Sequence, residues 1–137
     1  MNTTHCVKET VLAFVDRINA HDIPGILNML DDNYRFIDSA GDTFRGKAFM
    51  RDTWNAHFEQ YPDFHILVHR ALEDDGAVAL FGVSSGTLNH GGELWDENYW
   101  EVPAAFLGTA ANGKMLLWQV FSDTAMISDL THATELR

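Results

Sequence analysis

The feature that most constrains this chain is a change of hydrophobic period near Pro62. Before it, apolar residues recur at helical spacing; after it, they alternate along extended runs. Val7, Val11, Phe14, Val15 and Ile18 form one stripe, which predicts a first helix from about Cys6 to Ala20. Asp22 caps a predicted second helix, with Pro24 in its first turn and Ile26, Leu27 and Leu30 facing inward. Tyr34, Phe36 and Asp38 alternate with Arg35 and Ile37 as in a short strand, and Gly41-Asp42 turns the chain. A third helix is expected from about Lys47 to Gln60, with Met50, Trp54, Phe58 and Tyr61 on one stripe and His57 at its edge. Pro62 ends it.

Strands are expected over Phe64–Leu72, Ala77–Thr87, roughly Tyr99–Ala111 and Lys114–Asp123. Asp74-Asp75-Gly76 and Asn112-Gly113 read as tight turns between antiparallel neighbours, and Asn89–Asn98 as a less regular connection. Helices first and strands after is the pattern of an α+β fold, with helices packed on one face of the sheet.

The 137 residues suit a single domain, 1–137, and no repeat or linker marks a boundary within it. No apolar run approaches the roughly 20 residues of a membrane span, and Met1 to Lys8 lack a signal peptide's apolar region. A net charge of -11 argues against nucleic acid and anionic membranes as partners, since both require basic patches. The lone cysteine, Cys6, excludes an intrachain disulfide and suits a reducing cytoplasm. The chain is 12% aromatic, with four Trp. A sheet curling around a helix encloses a cone, which Phe36, Trp54, Phe58, Trp100, Phe106 and Trp118 either fill or line as a pocket for a small hydrophobic molecule.

The order of elements and several motifs resemble the NTF2-like superfamily, the cone fold of ketosteroid isomerases, limonene epoxide hydrolases, scytalone dehydratases and SnoaL-like polyketide cyclases. The stretch from Phe14 through Asp22, then Gly25-Ile26, is similar to the isomerases' first two helices, and Asp31-Asp32 and Arg45-Gly46 also fit. From Tyr61-Pro62-Asp63 through Asp74-Asp75-Gly76 to Gly86-Thr87 the sequence looks closer to the SnoaL-like branch, and Asn112 to Met115, Trp118 and Asp123 match the last hairpin of both. The resemblance implies three N-terminal helices on a curved, mixed but mainly antiparallel sheet, and a homodimer formed through that sheet. It also implies acid–base chemistry on a hydrophobic carbonyl or polyketide-type substrate, with no cofactor or metal.

Asp38 matches the position of the isomerases' general base, and a poorly solvated carboxylate is a stronger base. A second reading stays open: Asp38 caps the turn at Ser39-Ala40-Gly41. The isomerases' oxyanion-hole tyrosine falls at Phe14, and their protonated aspartate near Ala104 or Ala105. The acid that cyclases and epoxide hydrolases keep on the last strand falls at Val120. His57 is the candidate partner to Asp38 as acid, or else a helix-edge histidine bonded to backbone or water. Tyr34, Glu101 and Ser122 are supporting polar groups, and Asp123 is read as structural.

The other histidines do not form a metal site. His65 and His69 stand about 13 Å apart along a strand, too far to share an ion. His90 lies in a loop, and His5, His21 and His132 look peripheral. The same cone would serve a non-catalytic binding or dimerisation domain, the alternative that the three apolar replacements favour.

Overall fold

Val11, Phe14, Val15 and Ile18 fall at helical spacing, and burying that stripe lays α1 (Val7–Asn19) against a sheet. The structure is a computed structural model and describes residues 6–123 and Ile127; His5 and His132 lie outside the described residues. After α1 the backbone reverses at His21, whose φ of 53° lies in the left-handed region. Asp22 then caps α2 (Ile23–Asn28), its Oδ1 accepting a 3.0 Å bond from the Gly25 N–H.

Next come β1 (Leu30–Ile37), β2 (Thr43–Arg45), α3 (Lys47–Gln60), β3 (His65–Asp74), β4 (Ala77–His90), β5 (Glu93–Ala111) and β6 (Lys114–Ser122). The strands form one sheet in the order β2-β1-β6-β5-β4-β3. All neighbours are antiparallel except β1 and β6, which run parallel. This is the expected α+β architecture: helices on one face of a mixed, mainly antiparallel sheet.

Two segments depart from the sequence expectation. Thr43–Arg45 carries no strand pattern of its own after the Gly41-Asp42 turn, yet it pairs with β1 as a three-residue strand. Asn89–Asn98 is no irregular connection: β4 runs on to His90 and β5 starts at Glu93, with Asn89 opposite Leu94. Gly91 and Gly92 make that hairpin possible, because both adopt positive φ, 61° and 90°, which a side chain resists. The first strand also ends at Ile37, which puts Asp38 in the following turn.

Register shifts bend the sheet at Val68/Arg70 in β3, Thr87/Asn89 in β4 and Thr109/Ala110 in β5. Along β5 every second residue from Asn98 to Ala110 is buried, as expected for one face turned to the helices. Gly108 lies where α1 crosses: a Cβ there would come within 2.8 Å of Val11 Cγ1, so only glycine admits this approach. Side chains also tie the end of α1 to β3. Asn19 exchanges two 2.8 Å bonds with the Ile66 backbone. His21 is no peripheral residue: Nε2 lies 2.8 Å from the Phe64 carbonyl oxygen, and its ring stacks on Phe58 at 4.0 Å. Among the described residues no helix is long and apolar enough to cross a membrane.

Candidate active site

A cavity of about 210 Å³ lies between α3 and the inner face of the sheet. Helix α3 supplies Met50, Thr53, Trp54 and His57 to its wall. On the β1–β6 side stand Phe36, Asp38, Ser39, Trp118, Val120 and Ser122. On the side toward β3 and β4 stand Phe64, Ile66 and Ser84, with Trp100 and Val102 of β5 beside them. Ile127 and Phe106 complete it. The volume exceeds the roughly 150 Å³ of an apolar cavity that holds benzene, and falls short of the roughly 300 Å³ where drug-sized sites begin. A molecule of one or two rings fits.

Asp38 is held by its own turn. Its Oδ1 accepts from the Ala40 N–H at 3.0 Å and from the Asp42 N–H at 2.9 Å. The turn-capping reading therefore describes Oδ1, and the same side chain lines the cavity. Both bonds go to one oxygen, which leaves Oδ2 without a hydrogen-bond partner among the described residues. A carboxylate fixed through one oxygen and open at the other has the geometry that a general base requires.

His57 lies on the cavity wall, packed edge-on to Phe64 at 4.3 Å, Tyr61 at 5.3 Å and Trp54 at 5.8 Å between ring centroids. Burial among these rings, reinforced by the nearby His21, lowers its pKa to about 4. Its imidazole is uncharged at neutral pH. That revises the expected role: it can donate one N–H and accept at the other nitrogen, but it does not start the reaction as an imidazolium acid.

Nine of the twelve residues singled out from the sequence meet on this cavity: Asp38, His57, Phe36, Trp54, Trp100, Phe106, Trp118, Val120 and Ser122. Phe14, Tyr34 and Phe58 stand behind the wall instead. Phe14 is fully buried and packs edge-on against Trp118 at 5.3 Å, so it supports a lining residue. Phe58 fills the space between His21 and Trp54. Tyr34 is buried with its hydroxyl unpartnered, and burial raises its pKa above the ordinary tyrosine value.

Ala104 faces inward and Ala105 outward, so Ala104 is the one that stands on the inner face. Glu101 is exposed and accepts a 3.0 Å bond from the Tyr99 hydroxyl on the opposite face. Asp123 is exposed at the end of β6. Sequence reasoning missed Met50 and Thr53 as lining residues, together with Phe64, Ile66, Ser84 and Val102. Strand alternation marks Ile66 and Ser84 as inward-facing, but only the placement of α3 shows which inward residues it leaves uncovered. Among the described residues no group of His, Cys, Asp or Glu could hold a metal ion.

The family model of the SnoaL-like domain matches residues 11–118. The chain belongs to the SnoaL-like domain family. Solved structures agree on the fold. An NTF2-like protein from Burkholderia thailandensis superposes with a TM-score of 0.77 at 16% identity, over 93% of this chain and 98% of its own. A protein assigned as a SnoaL-like polyketide cyclase from Shewanella denitrificans gives 0.77 at 12% identity, over 91% and 96%. A hypothetical protein of ketosteroid isomerase-like fold from Catenulispora acidiphila, solved with trimethylamine, gives 0.71 at 14% identity, over 85% and 86%. No curated protein matches significantly. At these identities the likeness is one of fold, and a fold alone does not fix the chemistry.

Proposed function

We propose that this SnoaL-like domain is a cofactor-independent enzyme that moves a proton on a hydrophobic carbonyl or polyketide-type compound of one or two rings. The observation that carries this reading is that Asp38 and His57 line one apolar cavity while Asp38 Oδ2 has no hydrogen-bond partner among the described residues. Asp38 takes the proton alpha to the carbonyl, and His57, uncharged, offers an N–H to the oxygen on which charge develops. Isomerisation, cyclisation and dehydration all begin from such an enolate. The test is exchange of alpha protons of 1-tetralone in deuterated water, followed by proton NMR. Exchange above the buffer rate that disappears in Asp38→Asn supports the reading, and exchange unchanged by that substitution overturns it.

A second reading, a non-catalytic binding or dimerisation domain, is favoured by one observation. Phe14, Ala104 and Val120 stand where relatives are expected to keep polar groups, and Asp38 already has a structural task in its turn. We further propose a homodimer through the outer sheet face, where half-exposed Phe81 and Phe121 flank Ala105 across three paired strands. Light scattering tests that pairing: a dimer that Phe81→Glu converts to monomer supports it, and a wild-type monomer ends it. The exposed free thiol of Cys6 fits a reducing cytoplasm as the site of action.

A further inference from the structure

The cavity has a mouth and a floor, and they differ in polarity. Asp38, Ser39, Thr53 and Ser122 all reach solvent in part, and they gather polar side chains at the mouth. The floor is a row of three buried residues paired directly across β3, β4 and β5: Ile66, Ser84 and Val102. Residues paired in this way share a face of the sheet, so Ser84 points inward with its two apolar neighbours.

The Ser84 hydroxyl is the exception on this floor. The residue is 6% exposed, and Oγ has no hydrogen-bond partner among the described residues. Unlike the indole nitrogens of Trp54 and Trp100, which are closed off, Oγ keeps accessible surface. Because β4 lies between β3 and β5, the surface of its inward side chain opens onto the cavity. A hydroxyl both donates and accepts, and buried ones nearly always have a partner. The hydrocarbon side chains of Ile66 and Val102 supply none, which leaves that place to whatever fills the cavity. The strand order β1-β6-β5-β4 puts three strand spacings, roughly 14 Å along the curved sheet, between β4 and the strand that Asp38 follows. A two-ring compound whose reacting carbon meets Asp38 therefore brings its opposite end toward Ser84.

We propose that Ser84 is a specificity-determining residue, which hydrogen-bonds a hydroxyl at the end of a two-ring ketone remote from the carbon that faces Asp38. The inference rests on the reading of the cavity as the substrate site. It deepens that reading by naming the substrate class, a hydroxylated aryl ketone, and its direction. The carbonyl end lies toward the mouth and the oxygenated ring end on the floor.

Calorimetric titration of the full chain with three ketones is the test. 6-Hydroxy-1-tetralone carries its hydroxyl at the end opposite the alpha carbon, 5-hydroxy-1-tetralone carries it at the side, and 1-tetralone has none. The 6-hydroxy compound should bind about five- to tenfold tighter than 1-tetralone, the worth of one buried hydrogen bond, and the 5-hydroxy compound within about twofold of it. Ser84→Ala removes a single oxygen and should bring the 6-hydroxy preference down to about twofold or less. The readout is the ratio of two ligands on one protein, in which any lost packing cancels. If the 6-hydroxy compound binds no tighter than 1-tetralone, or its preference survives in Ser84→Ala, the proposal falls.

Should that variant fail to fold, the two hydroxytetralones on wild type decide, and equal tightening by both contradicts the proposal. Asp38→Asn separates this inference from the catalytic reading. A variant that loses proton exchange but keeps the 6-hydroxy preference upholds both. One that keeps the exchange with the preference intact overturns the reading of Asp38 as base and leaves the role of Ser84 standing.

Discussion

The two sides of the cavity treat their polar groups in opposite ways. On the β1–β6 side, Asp38 is tied to its own turn through two backbone N–H groups. Across from it, on α3 and β5, the buried indole N–H groups of Trp54 and Trp100 have no hydrogen-bond partner among the described residues. Yet the second side is where the scaffold is most heavily braced. Asp63 accepts 2.6 Å bonds from both the N–H and the hydroxyl of Thr87, Asn19 grips Ile66, and His21 meets the Phe64 carbonyl. Hydrogen bonding there fixes the walls and leaves the interior open.

The largest expected effect breaks the first side. Asp38→Asn keeps an amide oxygen for the Ala40 and Asp42 N–H groups but removes the base, so proton exchange should fall by about 10²–10⁴-fold with thermal stability nearly unchanged. Asp38→Ala should lose the same exchange and also about 1 kcal/mol of stability, measured by urea unfolding. If only stability changed in the alanine variant, Asp38 would be a turn residue alone.

Next in size is the brace on the second side. Asp63→Ala strands the Thr87 N–H and hydroxyl, both part-buried, and should lower the unfolding free energy by about 2–3 kcal/mol. A loss under about 0.5 kcal/mol would mean that the β3–β4 wall does not depend on it.

Smaller again is a pH effect at His57. Its folded pKa, about 4, lies below the ordinary value of 6.5, so between these the unfolded chain binds more protons than the folded one. Stability from this group is complete above about pH 6.5 and is lost as pH falls toward 4. The slope is at most about 1.4 kcal/mol per pH unit. His57→Phe should flatten that part of the stability curve measured by denaturation at stepped pH; an unchanged slope would show that the imidazole is not buried as described.

Most of this architecture was legible in the sequence because burial imposes a period. The stripe Val11, Phe14, Val15, Ile18 and the alternation of Trp100 with Phe106 report which way those residues face. What escaped was set by pairing over distance. Thr43–Arg45 has too few residues to show a period and becomes a strand only beside β1. The hairpin through Gly91-Gly92 carried its turn signal, but the charged residues Glu93, Asp96 and Glu97 hid the strand after it.

The site divides the same way. The aromatic lining followed from alternation, whereas Phe64 and Ser84 came into view only once α3 was placed over them. His57 shows a further limit: its position followed from helical spacing, but its neutral state depends on burial in the folded cavity wall and on His21, which is distant in sequence.

The comparison of the two sides rests on how a ligand sits between them, and a crystal structure of the chain with 1-tetralone measures that directly. The account predicts the ring system in the cavity, its alpha carbon facing Asp38 Oδ2 and its oxygen within hydrogen-bond reach of the His57 imidazole. Tetralone bound elsewhere, or with its oxygen turned toward Asp38, would contradict it.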